Sequence, residues 1–110
     1  MDRLVDKRCT ACTPNTPRIE ATELPAYLAQ APGFGANSEK TLIERRFEFK
    51  NYPETMIFVN AVAAIAHRED HHPDLEVSYG SCTVRFTTHA IHGLSENDFI
   101  CAAKVNALLA

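Results

Sequence analysis

The chain lacks the surplus of positive charge that holding nucleic acid by bulk electrostatics requires. Eleven Lys and Arg stand against fourteen Asp and Glu, a net charge of -3. It also lacks a hydrophobic run long enough to cross a bilayer: the longest charge-free apolar stretch, Thr55 to Ala66, is too short, and Asn60 interrupts it. The N-terminus opens on charges without an apolar core, which is not the pattern of a secretory signal. Without that context the four cysteines, at 9, 12, 82 and 101, do not read as a disulfide framework. No internal repeat is visible, and low complexity is confined to Thr13-Pro14-Asn15-Thr16-Pro17. These absences leave the expectation of a small cytoplasmic protein that binds neither nucleic acid nor membrane. No basic cluster suggests a nuclear fraction.

At 110 residues and 45% hydrophobic content there is enough chain for one core and too little for two. Residues 1–19, with a lone C-x-x-C (Cys9, Cys12) followed by turn formers, read as a flexible tail. Residues 20–110 read as a single domain. Thr22 to Ala31 predicts a short helix ended by Pro32-Gly33, and Gly33 to Ser38 a loop or irregular strand. Thr41 to Lys50 alternates with period two, Ile43, Phe47 and Phe49 against Glu44, Arg46 and Glu48, with Arg45 out of place on the apolar side.

Pro53 lies in the first turn of a helix reaching about Glu69 that is apolar nearly all round. Such a helix must be covered twice, which predicts a homo-oligomer packed through it. Leu75, Val77, Tyr79 and Cys82, Val84, Phe86 predict a hairpin around a Gly80-Ser81 II′ turn, with Tyr79 opposite Cys82 and Leu75 opposite Phe86. Ser95 and Asp98 form a capping box, with Leu94 and Phe99 as staple, for a last helix. The sum is an α+β domain: an antiparallel four-stranded sheet with three helices on one face, ordered helix-strand-strand-helix-strand-strand-helix.

Five histidines, at 67, 71, 72, 89 and 92, fall in one stretch of the chain. The predicted register carries His72 opposite His89 at the open end of the hairpin, with His71 beside them. Imidazole changes charge near neutrality, so such a cluster can hold an acid and a base together. His67 and His71, four apart, also suit a metal ion on a helix. The metalloprotease pattern, however, needs Glu where Arg68 stands.

His67, His71-His72-Pro73, Tyr79, His89 and Asp98 resemble, in identity and spacing, the signature of the pterin-4a-carbinolamine dehydratase family. Phe47 to Tyr52, Thr87-Thr88-His89 and Gly93-Leu94-Ser95 agree with its flanks, over about residues 20 to 109. The resemblance implies dehydration of 4a-hydroxytetrahydrobiopterin to quinonoid dihydropterin, recycling the pterin for aromatic amino acid hydroxylases. It implies no metal and no organic cofactor, the pterin being the substrate. It further implies a sheet continued across a homodimer, with dimers paired into tetramers through the long helix.

By the same resemblance His71, His72 and His89 are catalytic, His71 and His89 in proton transfer and His72 in holding the pterin. Pro73, Thr88, Ala90, Ile91 and Asp98 join them in binding substrate, and His67 is an orienting residue where many members carry Glu. Asn97 replaces an Arg found in some animal members. Animal members also act as a dimerisation cofactor of a transcription factor. A non-enzymatic module binding a partner through the long helix is therefore the competing reading.

Overall fold

The computed structural model describes residues 1–110. The elements run α1 (Leu24–Ala29), β1 (Gly35–Ala36), β2 (Ile43–Glu48), α2 (Tyr52–Glu69), β3 (Asp74–Ser78), β4 (Ser81–Phe86) and α3 (Glu96–Ala107). The strands form one antiparallel sheet in the order β1-β2-β4-β3. This is the expected α+β architecture and element order.

Period two sorts the sheet into a dry and a wet face. Ile43, Phe47, Cys82, Val84 and Phe86 are buried among side chains of the helices. On the other face Arg85 pairs with Glu44 at 2.8 Å and with Glu76 at 3.0 Å, tying β4 to both neighbours. Arg45 sits on the dry side because its guanidinium has partners there. It donates to the Pro32 carbonyl at 3.0 Å and to Asn106 Oδ1 at 2.8 Å, and it lies 4.5 Å from the Phe47 ring centroid. Gly33 makes room for it: at φ +87°, a Cβ would meet Arg45 Nε at 2.6 Å.

α2 is capped by Asn51, whose side chain accepts from the Glu54 N–H at 2.9 Å. Phe58, Val62 and Ile65 turn inward, while Ile57 is 69% exposed and Ala63 and Ala64 are exposed beside it. The outward side of an all-apolar helix is thus bare within one chain.

The hairpin register differs from the predicted one. Ser78 pairs with Ser81, Val77 with Cys82 and Leu75 with Val84, so the loop is Tyr79-Gly80 rather than Gly80-Ser81. Tyr79 does not have positive φ, so the turn is not of type II′. The reason is tertiary. The Gly80 carbonyl accepts from the Phe49 N–H at 2.8 Å, and the Tyr79 carbonyl from Thr55 Oγ1 at 2.9 Å. These bonds hold both loop carbonyls in place. The shift is two residues between partners, so every side chain keeps its expected face.

Residues 1–19 also depart from expectation, because they pack. Leu4 is fully buried in the main core, and the Leu4 N–H donates to Gln30 Oε1 at 2.7 Å. Lys7 pairs with Glu96 at 2.7 Å, and Lys104 donates to the Val5 carbonyl at 2.8 Å. Composition marks the Thr/Pro stretch as turn-rich but is blind to these partners, which lie far along the chain. Leu4→Ala is expected to cost about 2–5 kcal/mol in urea unfolding, as for other fully buried leucines. A change within about 0.5 kcal/mol, as for a surface site, would mean the segment is not part of the core.

Candidate active site

Two chain turns bring the histidines together. At the end of α2, Asp70 adopts the left-handed conformation (φ 52°), and the His71 N–H returns to the Ala66 carbonyl at 3.2 Å. This folds His71 back under the helix. Beyond β4, Thr88 and Gly93 pair as an isolated bridge that closes a short 3-10 turn, His89–Ile91.

The alternation of the sheet continues past its strand ends. His71 falls in step with Leu75, and Thr88 with Phe86, so both point inward and are buried. His72, Thr87 and His89 take the opposite parity; His72 and His89 are exposed and Thr87 half-buried. The observed register, extended, sets His71 opposite Thr88 rather than His72 opposite His89.

His71 is the anchored member. Its side chain is 9% exposed, and its ring lies nearly parallel to Phe86 with centroids 6.2 Å apart. Nε2 is 2.7 Å from Asp98 Oδ1. Asp98 is fully buried, and its second oxygen, Oδ2, accepts from Thr88 Oγ1 at 2.8 Å and from the Ser95 N–H at 3.0 Å. Ser95 Oγ lies 2.6 Å from Thr88 Oγ1, completing a closed network. The capping box is therefore real, and its carboxylate does more than cap. With Asp98 ionised the proton between them sits on Nε2, which leaves Nδ1 as the ring's lone pair. Nδ1 makes no hydrogen bond within the chain and is not sealed from solvent.

A cleft of about 220 Å³ opens at this point, with His71, His72, Thr88, His89 and Ala90 in its wall. That is below the ~300–1,000 Å³ usual for drug-sized ligands and suits a small molecule held partly open. Larger grooves of about 440 and 380 Å³ flank the outer side of α2, but their walls are mostly Ala, Ile and Leu and hold no imidazole.

The remaining expected site residues are placed elsewhere. Asp98 and Ile91 are buried behind the cleft, Pro73 does not reach its wall, and His67 is exposed on α2 without a hydrogen bond to His71. Asp98 thus touches the histidine rather than the cleft: it is fully buried, and three donors from within the fold occupy its oxygens. No three His, Cys, Asp or Glu side chains are arranged to hold a metal ion.

Three wall residues are not among the expected site residues: Cys12, Asp70 and Thr87. Cys12 arrives on the N-terminal segment, which is latched twice. The Cys9 N–H donates to Glu69 Oε1 at 2.8 Å, and Thr10 exchanges two bonds with the Asn97 amide, at 3.1 and 2.7 Å. Burial opposes ionisation of Glu69, but the Cys9 N–H, Lys104 and Arg8 outweigh it and hold its carboxyl below the usual 4.5. A carboxyl lowered in the fold contributes stability above its unfolded pKa and loses it as pH falls through the folded value. The latch should therefore hold at neutral pH and loosen only below pH 4.5. The expected observation is a Cys9 amide NMR shift that titrates with a midpoint under 4.5; a midpoint at or above 4.5 would contradict it.

Residues 17–108 match the family model described as Pterin 4 alpha carbinolamine dehydratase. The chain belongs to this family. Proteins provisionally named pterin-4-alpha-carbinolamine dehydratase are similar along nearly their whole length. One from Nitrosospira multiformis is 51% identical over 108 residues, covering 98% of this chain and 94% of the relative. One from Legionella pneumophila (strain Corby) is 46% identical over 107 residues, 96% of this chain and 95% of the relative. Among solved structures, a Brucella melitensis protein described as a transcriptional coactivator/pterin dehydratase superposes with a TM-score of 0.81 at 29% identity, over 86% of this chain and all of that one. A pterin dehydratase-like RuBisCO assembly factor of the alpha-carboxysome shares the fold, with a TM-score of 0.61 at 21% identity. No helix is long and apolar enough to cross a membrane.

Proposed function

We propose that this pterin dehydratase family member is itself an enzyme that dehydrates 4a-hydroxytetrahydropterins. The observation that carries the reading is the buried His71–Asp98 pair at 2.7 Å, set in a cleft that two exposed histidines share. Dehydration removes the N5 proton and the C4a hydroxyl, leaving an N5=C4a double bond and water. His71 takes the N5 proton on Nδ1. Asp98 then faces an imidazolium, whose charge it balances from its fully buried position.

His89 protonates the departing hydroxyl, and His72 holds the ring. Acid and base groups of this kind each contribute about 10²–10⁴-fold. Water and the quinonoid product leave, and proton exchange between the histidines and solvent restores the starting state. The reaction requires no metal or organic cofactor, and it would return the pterin to aromatic amino acid hydroxylases in the cytoplasm.

Stopped-flow ultraviolet absorbance on freshly generated 4a-hydroxytetrahydropterin tests this. Wild type should accelerate the decay over buffer, and His89→Ala should lose most of that acceleration. Equal decay in all three would remove the enzyme reading.

The bare outer side of α2, with Ile57 69% exposed in the wall of one apolar groove and a second groove meeting it at Ala61, favours a second copy packed there, and the open edge at β3 favours sheet pairing. The same surface would serve a partner protein instead, as in a non-enzymatic dimerisation cofactor. Ile57→Asp should lower the mass found by sedimentation equilibrium if copies meet at α2; an unchanged mass would reject that interface.

A further inference from the structure

The two cysteines of the lone C-x-x-C part ways in the fold: Cys9 turns to Glu69 and Cys101, while Cys12 reaches the histidines. Cys12 lines the same cleft as His71, His72 and His89. Its placement is held by specific bonds. Asn97 accepts the Thr10 N–H at 3.1 Å, donates to the Thr10 carbonyl at 2.7 Å and donates to Cys12 Sγ at 3.1 Å. One amide thus fixes both the N-terminal segment and the thiol, and it does so from the residue next to Asp98, which fixes His71. Cys12 is half-buried and its sulfur has only the Thr10 carbonyl, at 4.0 Å, as an acceptor for its proton. Nδ1 of His71 makes no hydrogen bond within the chain and borders the same cleft, where it can meet a ligand with a proton to share.

From this we propose that Cys12 is a substrate-contacting residue of the cleft, and that Asn97 is its positioning residue. The inference rests on the reading of the cleft as a pterin site. A small, polarisable sulfur held against the open side suits the flat face or edge of a bicyclic ring. It adds contact without reaching the reacting atoms, so its effect falls on binding rather than on the chemical step. Cys12 is then the part of the cleft wall that the N-terminal segment supplies.

Two experiments decide the matter. The first follows iodoacetamide alkylation of each cysteine by peptide mass spectrometry, with and without 7,8-dihydrobiopterin, a pterin with no 4a-hydroxyl to lose. Saturating dihydrobiopterin should slow Cys12 modification about tenfold or more, the protection a well-occupied site gives. The second compares the kinetics of Cys12→Ala, Asn97→Ala and the double variant. Each single change should raise KM about tenfold, a typical value for one lost pocket contact, with the loss in KM rather than kcat. The double variant should be no worse than Asn97→Ala, because both changes remove one contact.

Unslowed alkylation of Cys12 at saturating dihydrobiopterin, or an unchanged KM in a Cys12→Ala protein of normal circular dichroism, overturns the proposal. If wild type neither binds dihydrobiopterin nor speeds dehydration, the pterin reading fails and takes this one with it. If wild type does both while Cys12 is unprotected and KM unmoved, only the role of Cys12 fails.

Discussion

His71→Gln should lower kcat for 4a-hydroxytetrahydropterin dehydration by about 10²–10⁴-fold, the contribution of one positioned acid–base group. Glutamine is close in size and can still donate to Asp98, so the network at the base of the cleft keeps a partner for each oxygen. It carries no basic lone pair at Nδ1, which is the property the proposed reaction uses. The decisive comparison is between kcat and the affinity for 7,8-dihydrobiopterin. A fall in kcat at nearly constant affinity places His71 in the chemical step. A variant with wild-type kcat would show that the 2.7 Å pair with Asp98 is structural and that proton transfer belongs to the exposed histidines.

Asp98→Ala is expected to be the most damaging single change to stability, costing about 3–5 kcal/mol, the penalty for removing one member of a buried charged network. Three donors lose their acceptor at once: His71 Nε2, Thr88 Oγ1 and the Ser95 N–H. In a domain of this size such a cost lowers Tm by roughly 10 °C or more. Asp98→Asn separates the structural role from the chemical one. It keeps the shape and one acceptor oxygen but carries no charge to balance an imidazolium. Its Tm should fall less than that of the alanine variant, while kcat drops about 10²-fold, as for a lost electrostatic stabiliser. Equal kcat in the asparagine variant and wild type would confine Asp98 to capping α3.

Period two and period 3.6 made the sheet, the helices and their order legible, because each signal lies within a few residues of itself. Ser95 and Asp98 announced a helix start at three-residue spacing and formed one. The same spacing said nothing of Thr88 or His71, which reach Asp98 from 10 and 27 residues away. The hairpin shows the limit sharply. Gly80-Ser81 and Tyr79-Gly80 are both acceptable two-residue loops, and the choice between them rests with Phe49 and Thr55, outside the hairpin. The family signature located the histidines but not the wall opposite them. Cys12 was visible only as half of an unpaired motif, and the side chain that places it, Asn97, lies 85 residues on.

That separation sets an order of assembly on the ribosome. The segment carrying Cys9 and Cys12 is synthesised before every element that holds it, and Cys9 meets Cys101, Sγ to Sγ at 3.6 Å, across 92 residues of chain. At about 5–20 residues per second, on the order of 5–20 s pass between the making of the two. Through that interval the nascent chain carries two unshielded thiols and the segment has nothing to lean on. Docking of the segment is therefore the closing event of biosynthesis, and a translation arrest before α3 would leave the histidines made but the cleft one-sided.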